Sequence, residues 1–214
     1  MTTTPRDLMI VAMDMPSTRP VERGDLSLAL AGAELIDLLG ASAVRLDGDL
    51  VAADSPAPAP VAGPGDPLLE QASASLVREE PYESVNDWLW RRGRGLAAAY
   101  LAAFEAEGKV TGRRSRRWVV LWTSENVLVD SPDRTRAGNR WAADEPVLAA
   151  LAAVIGITER RPGDYPGDYE DVADGATKTV LDAVTDAVGE LAGERERRDQ
   201  KRNDAAVTNY RRGY

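Results

Sequence analysis

Apolar residues recur at helical spacing near the beginning of the chain. Residues 8–13 are almost continuously apolar and follow Thr4 and Pro5, two residues that suit a helix start. Residues 26–39 follow Asp25 and carry leucines on two faces, with alanine and glycine in the middle. These patterns predict two buried helices, the second of them slim and central in a helical core.

The longest patterned stretch begins at Ser84, which predicts a helix cap with Asp87 three residues later. One continuous helix is expected from there to Gly108, where a left-handed cap suits the helix end. Its apolar stripe consists of Val85, Leu89, Leu96, Tyr100 and Phe104. Gly93 and Gly95 interrupt this helix, and each costs about 1 kcal/mol relative to alanine, which indicates a bend or a close approach.

Two hairpins are predicted from alternating residues and turn signals. The first has Asp47-Gly48 as its turn, a strong short-range signal. In the second, the period changes to two from residue 117 onward, so we expect a strand over residues 118–122. Residues 123–126 are expected to form its turn and residues 127–129 its return strand.

Three further helices are expected, over residues 66–79, over residues 147–155 and in a final segment that ends in charged sequence. The segments between them have loop composition: residues 54–66 are rich in proline, residues 131–140 are basic and residues 160–174 are acidic. The spacing of the acidic residues matches no calcium loop, so no metal site is predicted.

Composition is that of one globular domain, with 43% hydrophobic and 29% charged residues in 214 residues. We expect residues 1–192 to form this domain and residues 193–214 to form a charged, frayed tail. The absence of cysteine is typical of a reducing, cytoplasmic location. The absence of histidine removes the commonest general base and metal ligand, so no catalytic residue and no cofactor is predicted.

Charge is distributed unevenly along the chain. Residues 91–117 contain seven arginines and Lys109 against two glutamates, which makes this segment +6 in a chain of net charge −9. A cationic island on an acidic protein indicates an anionic partner that meets one surface. No apolar run is long enough to span a bilayer, so membrane contact is expected to be peripheral.

Two interpretations of the basic hairpin remain open from the residues alone. In the first, the hairpin touches an anionic membrane or a second copy of the chain. Its contact residues are then Arg113, Arg114, Arg116, Arg117, Trp118 and Trp122. In the second, helix and hairpin form a winged-helix-like nucleic-acid-binding module. The second is disfavoured because residues 96–107 are rich in alanine, contain two glutamates and offer little to read base edges.

The order of the elements resembles the Golgi phosphoprotein 3 family, in its bacterial form. The resemblance is carried by PRDLMIVAMD, LSLALAGAELIDLL, VRLDGDLV, GDPLLEQA and VNDWLWRRGRGLAAAYLAAFEAEGKV, taken as an ordered set. It implies a mainly α fold, with a central helix bundle ringed by amphipathic helices and a protruding β-hairpin.

The resemblance also implies a non-enzymatic peripheral membrane protein. Eukaryotic members of the family bind phosphatidylinositol 4-phosphate and help to retain glycosyltransferases in the Golgi, and hairpins of this kind in the family can mediate self-association. Of the family's headgroup residues, one later-helix arginine matches Arg94, and the others fall at Glu22, Ala31 and Ala97.

We therefore expect the headgroup site at Arg94, with Arg91, Arg92, Arg19 and Arg23 rebuilding its positive charge. The expected partners are an anionic membrane or a phosphoinositide headgroup, a protein client, and other copies of the chain through the hairpin. Arg195, in the charged tail, is expected to lie outside the site.

Overall fold

A computed structural model describes residues 3–15, 17, 20–53, 66–112, 126–157 and 174–212. These ranges contain eight helices and two small antiparallel hairpins, which confirms the predicted mainly α fold with a β-hairpin. The helices are α1 (Thr4–Asp14), α2 (Arg23–Gly40), α3 (Pro67–Ala74), α4 (Val85–Arg92), α5 (Leu96–Ala106), α6 (Pro132–Ala142), α7 (Pro146–Val154) and α8 (Gly175–Arg212). The strands are β1 (Val44–Asp47), β2 (Leu50–Ala53), β3 (Val110–Gly112) and β4 (Asn126–Leu128).

Helix α2 is the centre of the molecule, as its leucine pattern predicts. Leu30, Leu35 and Leu38 are fully buried, and α2 contacts α1, α3, α4, α5, α7 and α8. The small residues in its middle allow α8 to pack closely, since a Cβ on Gly32 would lie 2.4 Å from Val184 Cγ2. The slim middle of α2 is therefore used for helix packing.

Charged side chains attach α1 to its neighbours. Asp7 is fully buried and lies 2.6 Å from Arg140 of α6. At the other end of α1, Asp14 accepts two hydrogen bonds from Arg134, also in α6. Ion pairs thus join two helices that are far apart in sequence.

The prediction of a basic loop at residues 131–140 is wrong, because residues 132–142 form helix α6. Ser131 Oγ accepts a hydrogen bond from Arg134 N at 3.2 Å, and Pro132 occupies the first helical position. Both are ordinary helix-start signals, and the dense charge around them obscured the short apolar face. Ala137 supplies that face and is fully buried.

The single long helix predicted from Ser84 is two helices. Its cap is confirmed, because Ser84 Oγ accepts a hydrogen bond from Asp87 N at 3.0 Å. Helix α4 ends at Arg92, however, and α5 begins at Leu96 after a turn with Gly95 at φ 73°. Gly108 ends α5 at φ 68°, as predicted.

The second hairpin has a different register from the predicted one. Val110 pairs with Leu128 and Gly112 pairs with Asn126, so the return strand pairs with residues that directly follow α5. Val110 and Leu128 are both buried, and covering this apolar pair against the core fixes the register. The predicted turn is wrong at Asn126, which lies in β4. The rest of that turn and the predicted strand at residues 118–122 lie outside the described residues.

The first hairpin is confirmed with a shift of one residue, because Asp47 pairs with Leu50 and the turn is at residues 48–49. Helix α3 ends at Ala74, earlier than predicted. Helix α8 continues to Arg212, past residue 193, where the charged tail is predicted to begin. The division of the chain at residue 192 stays a prediction.

Candidate functional site

A surface groove of about 300 Å³ lies where the first turns of α2 meet the turn between α4 and α5. Helix α8 closes one side of it. The groove is lined by Arg23, Gly24, Ser27, Leu28, Trp90, Gly93, Arg94, Gly95 and Leu191. Three sequence-distant segments therefore build it.

Two glycines allow the α4–α5 turn to lie against α2. A Cβ on Gly93 would come within 2.6 Å of the Leu89 carbonyl oxygen and 3.3 Å of the Ser27 carbonyl oxygen. Gly95 has φ 73°, a left-handed conformation that other residues rarely adopt. Ser27 Oγ then accepts a hydrogen bond from Ala97 N at 3.1 Å, which fixes the beginning of α5 on α2.

The same turn places two helix N-termini beside the groove. Helix α2 begins after its cap residue Glu22, and α5 begins after its cap residue Gly95. Neither cap residue accepts a hydrogen bond on its side chain from the helix that follows it. The N-terminal N–H groups of a helix carry a partial positive charge that favours anions. This backbone charge adds to the charge of the arginines at the groove.

The groove brings together two of the predicted headgroup residues, Arg23 from α2 and Arg94 from the turn. Both are exposed, and among the described residues Arg94 makes no ion pair. Between them the lining is apolar, with Trp90 partly buried. The nearby Trp88, in contrast, is fully buried and donates from Nε1 to the Ala31 carbonyl at 3.1 Å, so it is a core residue.

Arg92 lies outside the groove lining, in an internal cluster with Glu34 and Tyr100 that we call the Glu34 cluster. Its Nε and Nη2 donate to the two oxygens of Glu34 at 2.7 and 2.9 Å, and Nη2 also reaches the Leu68 carbonyl. Tyr100 donates to Glu34 Oε1 at 3.0 Å. Glu34 is fully buried, so every partner here neutralises or solvates its carboxylate.

Burial raises the pKa of Glu34, although Arg92 and Tyr100 act in the opposite direction. Burial acts to lower the pKa of Arg92, but its hydrogen bonds to Glu34 raise it above the usual value. Arg92 is therefore a permanent cation committed to a buried partner.

Arg91 is exposed and also paired. It donates to both oxygens of Glu83, at 2.9 and 2.6 Å, and its guanidinium carbon lies 5.1 Å from the Trp88 ring centroid. The structure thus directs Arg91, Arg92 and Arg94 to three different surroundings. Their role in anion binding stays a prediction for each of them.

The other predicted contact residues lie outside the described residues. These are Arg19, Arg113, Arg114, Arg116, Arg117, Trp118 and Trp122. Only the base of that hairpin is described. There, β4 contacts α1, and Val127 and Val129 are exposed apolar residues.

The family headgroup positions aligned to Ala31 and Ala97 are inaccessible in this structure. Ala31 is fully buried and Ala97 is 6% exposed. Arg23, eight residues before Ala31, is the α2 arginine that reaches the groove. Glu22, the third of these positions, is the exposed residue that directly precedes α2.

Sequence reasoning missed Gly24, Ser27, Leu28 and Leu191 as groove residues. Nothing in the local sequence marks Leu191, because its place in the groove depends on how α8 packs. Arg195, which is predicted to lie outside the site, has its Nη1 2.7 Å from Asp25 Oδ1 at the beginning of α2. It is not one of the lining residues, and its separation from the site stays a prediction. The signal that did point to the groove was the glycine pair around Arg94.

No helix in the described ranges is long and apolar enough to cross a bilayer. The described residues also contain no cluster of acidic side chains that is arranged to hold a metal ion.

Comparison with family models matches residues 5–202 to the Golgi phosphoprotein 3 (GPP34) family. The chain belongs to this family. The match covers nearly the whole sequence, including α1, α2 and most of α8. No curated protein matches the chain at a significant level.

Proposed function

We propose that this protein is a non-enzymatic peripheral membrane protein that binds anionic lipid headgroups of the phosphoinositide type in the groove. The observation that carries the proposal is the convergence of Arg23, Arg94 and Trp90 on one groove. Family membership supports the same function.

The chemistry of the groove suits a phosphorylated headgroup. Guanidinium groups bind phosphate oxygens through paired N–H donors, and two exposed arginines reach the groove from different elements. The beginning of α2, where the cap residue makes no side-chain hydrogen bond, adds N–H donors and partial positive charge on the same side. An anion held there would accept from N–H groups at the beginning of α2 that have no side-chain cap.

The apolar part of the lining favours a lipid over free phosphate. Leu28, Trp90 and Leu191 offer a surface against which a sugar ring or the glycerol part of a lipid can pack. Docking by charge alone supplies about 1 kcal/mol for each arginine near an anionic leaflet, so a second contribution is needed for stable attachment.

The overall charge restricts where an anionic membrane can approach. The chain carries a net charge of −9, so an anionic surface is repelled except where cations are concentrated. We place the protein on the cytoplasmic face of a membrane, with the groove toward the lipid. A role as a sorting or retention adaptor for a protein client extends this proposal from the family.

The direct test is Arg94→Ala in liposome co-sedimentation. Removal of one charge-assisted contact should weaken binding to vesicles containing phosphatidylinositol 4-phosphate by about 1–3 kcal/mol, or roughly 5–150-fold. The thermal midpoint should stay nearly unchanged, because Arg94 is exposed and makes no ion pair with described residues.

The matched control is Arg197→Ala. Arg197 is 62% exposed in α8, and it is paired with Glu194 one turn before it. Equal weakening by the two substitutions would mean diffuse attraction and no site. If Arg94→Ala leaves vesicle binding unchanged, the groove is not the lipid-binding site.

Nucleic-acid binding receives no support from the described residues. The exposed positions on α5 include Ala98, Ala102 and Glu105, which offer no donor for a base edge or a phosphate. The basic hairpin that would act as a wing lies outside the described residues.

A further inference from the structure

We infer that Arg195 of α8 is a third arginine of the groove, and that Asp25 holds it in position there. We further infer that it favours phosphomonoester headgroups over phosphodiester headgroups. The inference rests on the proposed function, because it concerns the same groove.

The position of Arg195 follows from the packing of α8 on α2. Leu191 lines the groove, and Arg195 is one helical turn later on the same face of α8. Its Nη2 lies 2.8 Å from the point that a Cβ on Gly24 would occupy, and Gly24 is itself a lining residue. The absence of a side chain at Gly24 therefore leaves the space into which this guanidinium fits.

Asp25 is the ion-pair partner of this guanidinium. The side chain of Asp25 is 3% exposed, whereas that of Arg195 is 31% exposed, and their ion pair spans 2.7 Å through Nη1. A buried carboxylate needs a cation, so this pair is costly to break. A guanidinium has five N–H donors, and pairing through Nη1 leaves those on Nη2 and Nε for a second anion.

The neighbouring arginines of α8 differ from Arg195 in both burial and partner. Arg197 and Arg198 are 62% and 71% exposed, and both pair with Glu194 on their own helix. Exposed pairs of this kind hold a side chain weakly. Among these three, only Arg195 pairs with a residue of α2.

The preference for a phosphomonoester follows from counting charges and acceptors. Asp25 balances the charge of Arg195, so this residue contributes mainly through the directed donors of its guanidinium. A phosphomonoester carries up to two negative charges and three terminal oxygens. A phosphodiester has one charge and two terminal oxygens, so it has fewer acceptors for a third arginine beside Arg23 and Arg94.

The test compares two kinds of vesicle with equal net negative charge, one containing phosphatidylinositol 4-phosphate and one containing phosphatidylglycerol. Because Arg195→Gln alone leaves Asp25 buried and unpaired, the main variant is Asp25→Asn with Arg195→Gln. We expect it to bind the phosphomonoester vesicles about tenfold more weakly and the phosphatidylglycerol vesicles nearly as the wild type does. Arg197→Gln is the control and should change neither.

Two further arms separate the possible outcomes. Inositol 1,4-bisphosphate added to the assay should compete with the vesicles for the wild type and about tenfold less well for the double variant. If the double variant does not fold, Arg195→Lys keeps the charge but loses the planar fork, and it should still reduce the preference for the phosphomonoester.

Retention of the full preference by whichever of these variants folds would overturn the inference. If Arg94→Ala still weakens binding in that case, the proposed function stands without Arg195. If Arg94→Ala also has no effect, the proposed function fails as well.

Discussion

Arg92 and Arg94 are two residues apart in the chain and lie in contrasting regions of the molecule. The side chain of Arg92 is 14% exposed and binds the fully buried Glu34 in the second half of α2. Arg94 is exposed in the groove at the beginning of α2. The turn at residues 93–95 separates them by ending one helix between the two arginines.

The contrast teaches that a run of arginines cannot be treated as one charged surface. In the Glu34 cluster, the cation is required by a carboxylate that has no access to water, and the pair is part of the core. Arg94, in the groove, has no carboxylate partner among the described residues. Arg92→Ala and Gly93→Ala test this difference directly, and Asp37→Asn tests the cost of a second buried carboxyl in α2.

The largest effect is expected for Arg92→Ala. It leaves Glu34 buried without its cation, which should cost about 3–5 kcal/mol of unfolding free energy. Denaturant unfolding followed by circular dichroism measures this loss. The control is Arg91→Ala, since Arg91 is 43% exposed and its pair with Glu83 should contribute less than about 1 kcal/mol.

A loss at Arg92 no larger than that at Arg91 would contradict the structural role of the Glu34 cluster. The contrast with Arg94 would then disappear as well.

An intermediate, pH-dependent effect is expected for Asp37→Asn. Asp37 accepts a hydrogen bond from Thr4 N at 2.7 Å, and burial raises its pKa to about 6 from a usual value of 3.8. The folded state binds the Asp37 proton more tightly than the unfolded state does. Protonation of Asp37 therefore stabilises the folded state, fully below about pH 4. This stabilisation is lost as the pH rises through about 6.

Asparagine does not titrate, so the variant should gain stability relative to the wild type between pH 4 and pH 6. The gain should not exceed about 3 kcal/mol, the equivalent of two pKa units. Unfolding curves of the wild type and the variant, measured at each pH across this range, give the difference in their unfolding free energies. The titration of the other carboxylates contributes equally to both proteins and cancels in this difference. A difference that is flat with pH would show that the second half of α2 tolerates an ionised Asp37 without cost.

The smallest effect on stability is expected for Gly93→Ala. The added Cβ would meet the Leu89 carbonyl at 2.6 Å, and backbone cannot move aside as a side-chain end can. We expect a loss of about 1–3 kcal/mol together with weaker vesicle binding, because the turn carries Arg94.

Gly138→Ala is the matched control, since nothing lies within 4 Å of a Cβ at this position of α6. Alanine there should be neutral or stabilising by up to about 1 kcal/mol. If Gly93→Ala behaves in the same way, neither the Leu89 carbonyl of α4 nor the Ser27 carbonyl of α2 is the reason for glycine at this position.

The sequence by itself determined the helical core. The leucine spacing of α2, the Ser84 cap and the stop at Gly108 all depend on residues close together in the chain, so local patterns were sufficient. The ordered set of segments also led to the Golgi phosphoprotein 3 family. For the groove, the sequence indicated Arg94 and the two glycines on either side of this residue.

Only the tertiary structure decided which arginine does what. The burial of Arg92 depends on Glu34, and the groove depends on Leu191 of α8, and both partners are far away in sequence. The register of the second hairpin similarly depends on covering Val110 and Leu128 against the core. Local patterns contain no information on such contacts, because they form only when distant segments pack and exclude water.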